Sequence, residues 1–380
     1  MICWFEDRLN GHRLVLDDLV ERIGIARPED VESGLKRIEQ ARAAGHWVAL
    51  VIEYEFGQWL EPALAQSPGE PRERLTAWVF RQAQTVEIEA SPDDNQPSGV
   101  IERAWATVAR SQYIEMIETI RSLIAAGEVY QVNATFPIEV QTRGSPLSIY
   151  RQLAASSRAR HCAYIEDHQN ARTILSLSPE LFVQRHGHRL ITRPMKGTAP
   201  RIPDDATADQ AMANRLVNSI KDRAENLMIV DLLRNDLGRI AVTGSVKVDP
   251  LFELEAYPSV WTMTSTIHAD LLPDCSFTDV LRALFPCGSI TGAPKIAAMN
   301  HIKQLESGTR GVYCGSLGWL APNGDMSLNV AIRTLVIDQN SQGRYGVGSG
   351  IVYDSVPDQE WQECFWKARI LGVDCETRPD

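Results

Sequence analysis

The feature that most restricts the fold of this chain is the grouping of its strand-like segments between helical ones. Beyond residue 100, groups of strands are interrupted by segments with a helical pattern. Strands are predicted at 129–142, 172–194, 259–271, 311–337 and 344–353, and helices at 111–127, 208–237, 277–284, 294–306 and 357–371. Grouped strands are typical of α+β proteins, whereas regular alternation is typical of a parallel doubly wound sheet. We therefore predict an α+β fold.

The length and the turn-forming residues indicate how the chain is divided. At 380 residues, the chain is long enough for one large domain or two ordinary ones. Residues 88–99 are polar and rich in turn formers, and we interpret them as a loop or linker. We predict an N-terminal subdomain at 1–100 that packs on a larger catalytic region at 101–380. The strand segment at 172–194 is expected to bend at Ser178-Pro179 and at Gly187.

The charge balance and the apolar pattern exclude several classes of partner. The chain has 38 Lys and Arg against 49 Asp and Glu, a formal charge of −11. Such a surface is unsuited to nucleic acids and to anionic lipids, which attract basic proteins. No run of 18 apolar residues occurs, so no membrane span is expected, and the N-terminus lacks a signal-peptide pattern. Seven scattered cysteines without C-x-x-C spacing indicate free thiols in a reducing cytoplasm.

Two acidic pairs are candidate ligands of a metal ion. Asp222 and Glu225 share one face of the long helical segment. Glu360 and Glu363 repeat this spacing in the last helix, and Lys367 follows one turn later. Carboxylate oxygens on two helices are suitable ligands for one Mg²⁺ ion. Acidic pairs on helices are usually solvated, however, and spacing does not show whether two distant helices converge, so the residues alone leave both interpretations open.

Two glycine-rich segments are candidate ligand-binding loops. Residues 288–295 run into a helix, where free N–H groups can bind a carboxylate, although a plain tight turn is equally consistent with this segment. Residues 346–352 resemble a dinucleotide fingerprint, but they lead into a strand pattern where such a loop would open a helix. We therefore exclude a nucleotide site and expect these glycines to let backbone amides approach a ligand.

Two cations are candidate active-site residues. Arg333 lies within an apolar strand pattern, so it needs either a substrate carboxylate or a structural ion-pair partner. Lys196 lies in a tight turn at 194–198, flanked in sequence by Arg193 and Arg201. A nucleophilic lysine must lose its proton, which desolvation or a neighbouring cation favours. For a lysine taken alone, a place on the surface is the commoner explanation.

Taken together, a series of ordered motifs resembles the chorismate-utilising enzymes, which include anthranilate, isochorismate, salicylate and aminodeoxychorismate synthases. The matching strings lie at 176–180, 192–198, 224–236, 288–295, 313–318, 332–334, 348–352 and 361–363. They cover roughly residues 105–372, and the first hundred residues match only loosely. The resemblance implies a large two-layered, mainly antiparallel sheet flanked by helices, with chorismate bound by the 101–380 region.

The resemblance also implies roles for individual residues. Glu225 and Glu363 would bind Mg²⁺, which would hold the ring carboxylate of chorismate. Asp222 and Glu360 would lie close to the ion. Glu180 would be the general acid that protonates the departing C4 hydroxyl, a step that requires burial to raise its pKa. Arg333 and Tyr313 would hold the enolpyruvyl carboxylate. The full set expected to bind the substrate is Thr198, Thr291, Gly292, Tyr313, Arg333, Gly348, Gly350 and Lys367.

Lys196 distinguishes between the reactions of the family. The aminodeoxychorismate synthases carry a lysine at this position, which is thought to attack C2 covalently before ammonia adds at C4, whereas the anthranilate synthases carry an alanine. Isochorismate and salicylate synthases place a water-activating lysine at the position of Gln131. The resemblance is therefore closest to aminodeoxychorismate synthase component I, with ammonia supplied by a separate glutamine amidotransferase subunit. The alternatives are anthranilate synthase component I, an isochorismate or salicylate synthase, and a catalytically silent chorismate-binding subunit.

Two positions depart from the family pattern. Thr262 stands where many members have a histidine, so no histidine role is carried over to this chain. Cys287 stands where a glycine is usual, immediately before the 288–295 segment. The sequence leaves open whether the N-terminal region binds tryptophan, as it does in some relatives.

Overall fold

The computed structural model describes residues 1–64, 71–88, 98–257 and 260–378. The helices in these ranges are α1 Val31–Ala43, α2 Gly57–Leu60, α3 Arg110–Ala125, α4 Pro146–Ser157, α5 Ala206–Asn218, α6 Ile220–Gly238, α7 Phe277–Leu284, α8 Lys295–Leu305 and α9 Pro357–Ala368. The strands are β1 Cys3–Asp7, β2 His12–Ile25, β3 Trp47–Ile52, β4 Leu75–Glu87, β5 Gly99–Ala109, β6 Gln131–Gly144, β7 His161–Asp167, β8 Arg172–Ser178, β9 Leu181–His186, β10 Arg189–Arg193, β11 Met195–Pro200, β12 Lys247–Val248, β13 Glu253–Ala256, β14 Val260–Thr264, β15 Ile267–Asp270, β16 Gly292–Ala293, β17 Ser316–Leu320, β18 Met326–Asn329, β19 Thr334–Asp338, β20 Gln342–Ile351 and β21 Cys375–Arg378. Most of the loop predicted at 88–99 falls outside the described residues.

Eighteen of the described strands form one continuous sheet, and β11, β14 and β13 form a small second one. Read from the pairings, the order is β21-β5-β6-β20-β19-β8-β7-β1-β2-β4-β3-β17-β18-β9-β10-β15-β12, with β16 beside the start of β6. Of these described pairings, the one between β21 and β5 is parallel and the others are antiparallel. The predicted α+β class with a mainly antiparallel sheet is confirmed.

The large sheet folds over so that two layers enclose an apolar centre. Ala163 and Ile165 of β7 and Ile174 of β8 share one buried cluster with Ala49 and Val51 of β3. Because β3 is not a hydrogen-bonded neighbour of β7 or β8, these strands meet face to face. The alternate residues of β3 and β7 point the other way, into a second cluster that helix residues complete. This packing explains the two-layered arrangement.

Two short crossover segments carry the chain from one layer to the other. Residues 179–180 join β8 to β9, and residues 330–333 join β18 to β19. The segments are hydrogen-bonded to each other, since the N–H of Val330 donates to the carbonyl of Glu180 at 3.1 Å and the N–H of Leu177 donates to the carbonyl of Arg333 at 2.9 Å. The bend predicted at Ser178-Pro179 is confirmed, and it coincides with the change of layer.

The prediction of one long helix at 208–237 is wrong, because Ser219 divides it into α5 and α6. The backbone of Ser219 is extended, with φ −68° and ψ 115°, and its hydroxyl accepts the N–H of Asp222 at 3.2 Å. Serine is a preferred N-cap because it satisfies such an unpaired donor. The break therefore places Asp222 in the first turn of α6.

Strands from the first hundred residues belong to the same sheet as the rest of the chain. β1 pairs with β7, and β3 pairs with β17. The division at residue 100 therefore stays a prediction about the organisation of the chain, and the backbone hydrogen bonds run across it. In the part of the chain that the structure describes, no helix combines the length and apolarity needed to cross a membrane.

Candidate active site

A cavity of about 250 Å³ lies where the crossover segments meet α6, α9 and β11. Twelve of the fourteen predicted site residues line it, although they are spread over the chain from residue 180 to residue 367. They are Glu180, Lys196, Thr198, Asp222, Glu225, Tyr313, Arg333, Gly348, Gly350, Glu360, Glu363 and Lys367. The fold therefore brings together residues whose proximity their spacing in sequence does not show.

Glu180 is held in the first crossover segment with its side chain buried. The residue is 3% exposed, and its Oε1 atom has no hydrogen-bond partner among the described residues. Burial raises the pKa of Glu180 to about 7, against the opposing effects of the Ser289 hydroxyl, of the nearby Lys196 and Lys367 charges and of the Met195 N–H. A carboxyl with this pKa is partly protonated at neutral pH, as a general acid must be.

Lys196 reaches the cavity from β11 and lies against the glycine backbone of β20. Its Nζ is 2.7 Å from the point that a Cβ on Gly350 would occupy, and Nε2 of Gln131 is 2.9 Å from the same point. A Cβ at this position would have to displace both groups. Gln131 is fully buried, and neither of its side-chain amide atoms has a partner in the described part of the chain. Lys196 itself is half-buried and lines the cavity.

The two predicted acidic pairs converge on the cavity from α6 and α9. Burial raises the pKa of Glu225, and the charges of Asp222 and Glu360 add to this effect while Lys196 and Lys221 oppose it. Burial would also raise the pKa of Glu363, but the charge and hydrogen bond of Lys367, at 2.6 Å, hold it below the ordinary value. The repulsion among the carboxylates is therefore only partly compensated by lysines.

The chemistry of this donor set fits a magnesium ion. Four carboxylates line one cavity, and the negative charges of two of them make it harder to ionise a third, Glu225. In the described ranges, no three or more His, Cys, Asp or Glu side chains are grouped closely enough to hold a metal ion. The carboxylates thus provide suitable ligands without forming a closed ligand cage.

The remaining wall is suited to binding a carboxylate. Arg333 lines the cavity from the second crossover segment, where its backbone adopts φ 52°, a conformation that is uncommon for residues other than glycine. The ring of Tyr313 packs on Gly346. Lys367 donates to the carbonyl of Gly348 at 2.8 Å, which fixes its ammonium group at the edge of the glycine strand. A guanidinium and a phenol that line the same cavity are both groups that can donate hydrogen bonds to a carboxylate.

Replacement of Gly346 by alanine is expected to weaken substrate binding through Tyr313. The new Cβ would stand 2.1 Å from Cγ of the Tyr313 ring, so the ring must move. We expect Gly346→Ala to raise KM for chorismate, the substrate that the family resemblance implies, about tenfold, the effect of losing one good hydrogen bond, with a smaller change in kcat. Gly238→Ala is the control, because its Cβ would meet nothing within 4 Å. An unchanged KM in Gly346→Ala would contradict a substrate contact through Tyr313.

Two predicted substrate-binding residues, Thr291 and Gly292, do not line the cavity. The Thr291 hydroxyl donates to the carbonyls of Cys287 at 3.0 Å and Gly288 at 3.2 Å, so it fastens the preceding turn. Gly292 is part of β16 and pairs with Val132. The structure does not place these two residues on the cavity wall, and their contact with the substrate stays a prediction.

Several lining residues were missed from the sequence. They are Asn133, Lys221, Thr262, Ser289, Ile290, Ile332, Tyr345 and Val347, whereas Met195 and Gly197 belong to the 192–198 string that the family resemblance had already singled out. Ser289 and Ile290 belong to the glycine-rich segment that was singled out, so the segment was found although the contacting residues were not. Thr262, one of the two departures from the family pattern, donates to the carbonyl of Gly197 at 3.3 Å and thereby supports the Lys196 turn.

The sequence profile of the family described as "chorismate binding enzyme" matches residues 25–372. The chain belongs to this family. The resemblance inferred from the ordered motifs is confirmed, and the match extends into the first hundred residues, where the motifs are weakest.

The relatives include enzymes of two reaction types. Aminodeoxychorismate synthase component 1 of Salmonella typhimurium is 45% identical over 270 residues, which are 70% of this chain and 59% of that protein. Anthranilate synthase component 1 of Thermus thermophilus is 33% identical over 305 residues, 80% of this chain and 65% of that protein. The crystal structure of anthranilate synthase component I from Streptococcus pneumoniae has a TM-score of 0.82 at 26% identity, covering 95% of this chain and 92% of that chain. The matched part spans about three fifths of the length of the Salmonella relative.

Proposed function

We propose that this chain aminates chorismate at C4 to give 4-amino-4-deoxychorismate, the step that leads to p-aminobenzoate and folate. The observation that supports this proposal best is the position of Lys196, inside the cavity and opposite the backbone of Gly350. The aminodeoxychorismate synthase names of relatives at 42–45% identity support the same reaction. The anthranilate synthases are the main alternative, and the lysine argues against them.

The proposed reaction uses Lys196 as the nucleophile and Glu180 as the acid. The lone pair of the neutral Lys196 amine forms a bond to C2, the ring double bonds shift, and the C4–O bond breaks. Glu180 gives its proton to the departing oxygen, which leaves as water. Ammonia then adds at C4, the double bonds shift back, and the C2–N bond breaks to release the neutral lysine. The ammonium group formed at C4 returns one proton to Glu180, directly or through solvent, so that the acid is restored. Glu180 has the burial and the raised pKa that such an acid needs.

We further propose that Glu225 and Glu363 bind one Mg²⁺, with Asp222 and Glu360 close by. The ion would supply positive charge for the ring carboxylate of chorismate and would offset the repulsion among these side chains. Arg333 and Tyr313 are proposed to hold the enolpyruvyl carboxylate. Lys367 adds a fixed positive charge beside Glu363.

The ammonia is proposed to come from a glutamine amidotransferase subunit. The name "component 1" of the relatives indicates a second component in those enzymes. The cytoplasm is the proposed location, since all seven cysteines are free thiols.

The pH dependence of turnover is expected to report on Glu180. Because burial raises its pKa to about 7, the protonated fraction falls as the pH rises above that value, and kcat should fall with it. We expect Glu180→Gln to lower kcat by about a hundredfold or more and to remove this limb of the profile. Asp236→Asn is the control, because Asp236 is a buried carboxyl outside the cavity whose pKa is also raised by burial. A limb that persists in Glu180→Gln would assign the proton to another group.

Product identity tests the function directly. The purified chain is incubated with chorismate, Mg²⁺ and ammonium. The products are then separated by chromatography and identified by mass spectrometry. Formation of 4-amino-4-deoxychorismate without pyruvate supports the proposal. Anthranilate with pyruvate would overturn it in favour of the anthranilate synthase reaction. Equal trace turnover in the wild type and in Glu225→Ala would instead indicate a silent binding subunit.

A further inference from the structure

Arg310 lies outside the cavity but binds directly to its wall. The residue is 6% exposed, and its guanidinium donates to the carbonyl of Ile290 at 2.8 Å and to the carbonyl of Asn133 at 2.7 Å. Both acceptors belong to residues that line the cavity, and they are far apart in sequence. Arg310 thus joins the glycine-rich turn at 288–295 to the beginning of β6. These two segments form one side of the cavity.

The charge of Arg310 is compensated by a carboxylate that is itself fixed. Glu306 accepts from Nε and Nη2 of Arg310 at 2.9 Å and 2.7 Å, and it also accepts the N–H and the hydroxyl of Thr135 at 3.0 Å and 2.8 Å. Arg310 lies over the ring of Tyr54, at 4.5 Å from its centre. A pair of this kind is bidentate and directional, so it sets the orientation of the guanidinium plane.

The turn at 287–291 is held at two places, by Thr291 at its beginning and by Arg310 near its end. Thr291 ties the carbonyls of Cys287 and Gly288 together, whereas Arg310 holds the carbonyl of Ile290. Ser289 lies between these two attachments. Its hydroxyl is 3.3 Å from the Cys287 sulfur, and the residue lines the same cavity as Glu180, whose pKa this hydroxyl lowers. The guanidinium therefore fixes the peptide carbonyl of Ile290, the residue that follows Ser289 in the chain.

We propose that Arg310 is a positioning residue, which holds the Ser289 hydroxyl against the Glu180 carboxyl through its bond to the carbonyl of Ile290. The proposal rests on the proposed function, because it assigns Arg310 an effect on the acid of that reaction. Glu180 is otherwise faced by Lys196 from β11, by Lys367 from α9 and by the Cys287 thiol, whose pKa burial raises to about 12. In the described part of the chain, the Arg310 guanidinium is hydrogen-bonded to none of these three groups.

Loss of the hydrogen bond from Arg310 to the carbonyl of Ile290 is expected to raise the pKa of Glu180. The Ser289 hydroxyl favours the ionised form of Glu180, so its displacement raises the pKa of Glu180 beyond about 7. The falling limb of the kcat profile should therefore move to higher pH, by about half a unit to one unit. Because the acid is then misplaced as well, kcat at neutral pH should fall by about tenfold or more, with a smaller change in KM.

The test compares Arg310→Gln, Arg310→Lys and Ser289→Ala with a matched control. Arg13→Gln is the control, since Arg13 binds the buried Glu6 at 2.6 Å and neither residue lines the catalytic cavity. For each variant, Tm, the pH profile of kcat and the titration of the Glu180 carboxyl by ¹³C NMR are measured, the signal being assigned with Glu180→Gln. We expect Arg13→Gln to lower Tm without moving the titration. Arg310→Gln and Ser289→Ala should move it upwards, and Arg310→Lys should move it less.

The proposal is overturned if Arg310→Gln folds and leaves the Glu180 titration where it is in the wild type. Should Arg310→Gln not fold, Glu306→Gln replaces it under the same criterion, because it keeps the guanidinium but removes its fixed partner. The NMR titration needs no turnover. A wild type that makes another product would therefore contradict the proposed function, while the titration still decides the role of Arg310.

Discussion

Lys196→Ala is expected to lower the rate of C4 amination by at least about a thousandfold, since the variant loses the nucleophile of the covalent step. Ammonia would then have to react with chorismate without the preceding bond at C2. The cavity itself should persist, because Lys196 is only half-buried and the turn around it is held by Thr262 and Asn226. Chorismate binding should therefore change far less than turnover.

The measurement is single-turnover product formation with ammonium, together with the Kd for chorismate. In the wild type, mass spectrometry of the rapidly quenched protein should also detect an adduct on the peptide that contains Lys196, and Lys196→Ala should lack it. Lys247→Ala, which changes an exposed lysine of β12, serves as the control. Full activity in Lys196→Ala would exclude the covalent role, and anthranilate as its product would show that this lysine directs the reaction to C4.

Glu225→Gln and Glu363→Gln are each expected to reduce Mg²⁺-dependent turnover by at least about a thousandfold, the size expected from losing metal-ion stabilisation of several kcal/mol. The two substitutions should change the stability of the metal-free protein in opposite directions. Burial raises the pKa of Glu225, so its contribution to stability is lost as the pH rises through the folded-state pKa. Lys367 outweighs burial and lowers the pKa of Glu363, whose contribution is lost as the pH falls through the folded-state pKa.

Thermal unfolding in EDTA at about pH 7.5 checks these signs, with Glu225→Gln unfolding above the wild type and Glu363→Gln below it. Added Mg²⁺ should raise the Tm of the wild type and should raise that of both variants much less. Glu118→Gln, at an exposed ion pair on α3, is the control for removal of a charge. A normal Mg²⁺ response in Glu225→Gln would remove Glu225 from the proposed ligand set.

The sequence predicted the fold class and most of the site because both depend on local patterns. Strand and helix periodicity located the elements, and the ordered motifs located the residues. The acidic pairs show the limit of this reasoning. Spacing places Asp222 and Glu225 on one helical face, but only the packing of α6 and α9 brings them to the cavity shared with Glu360 and Glu363. The break at Ser219 was missed because a serine is compatible with both a helix interior and a cap.

The missed residues act through contacts that no local pattern encodes. Arg310 binds the carbonyl of Asn133 across a large separation in sequence, and it binds a backbone atom, so the identity of Asn133 carries no signal. Ser289 was passed over within a segment that was recognised, because Thr291 has an equally suitable hydroxyl. Which of the two faces the cavity is decided by the path of the turn, and Thr291 is used to close that turn.

The two crossover segments have a mechanical consequence for how the site opens. Glu180 and Arg333 stand on segments that are tied to each other by backbone hydrogen bonds and continue into buried strands on both sides. The carboxylates proposed to bind the ion are carried instead by α6 and α9, which contribute no strand to the sheet. The backbone segments that carry Glu180 and Arg333 are therefore expected to form the rigid side of the site. Entry of substrate and release of product are expected to involve displacement of α6 more than of α9, because Lys367 of α9 is hydrogen-bonded to the carbonyl of Gly348 in the sheet.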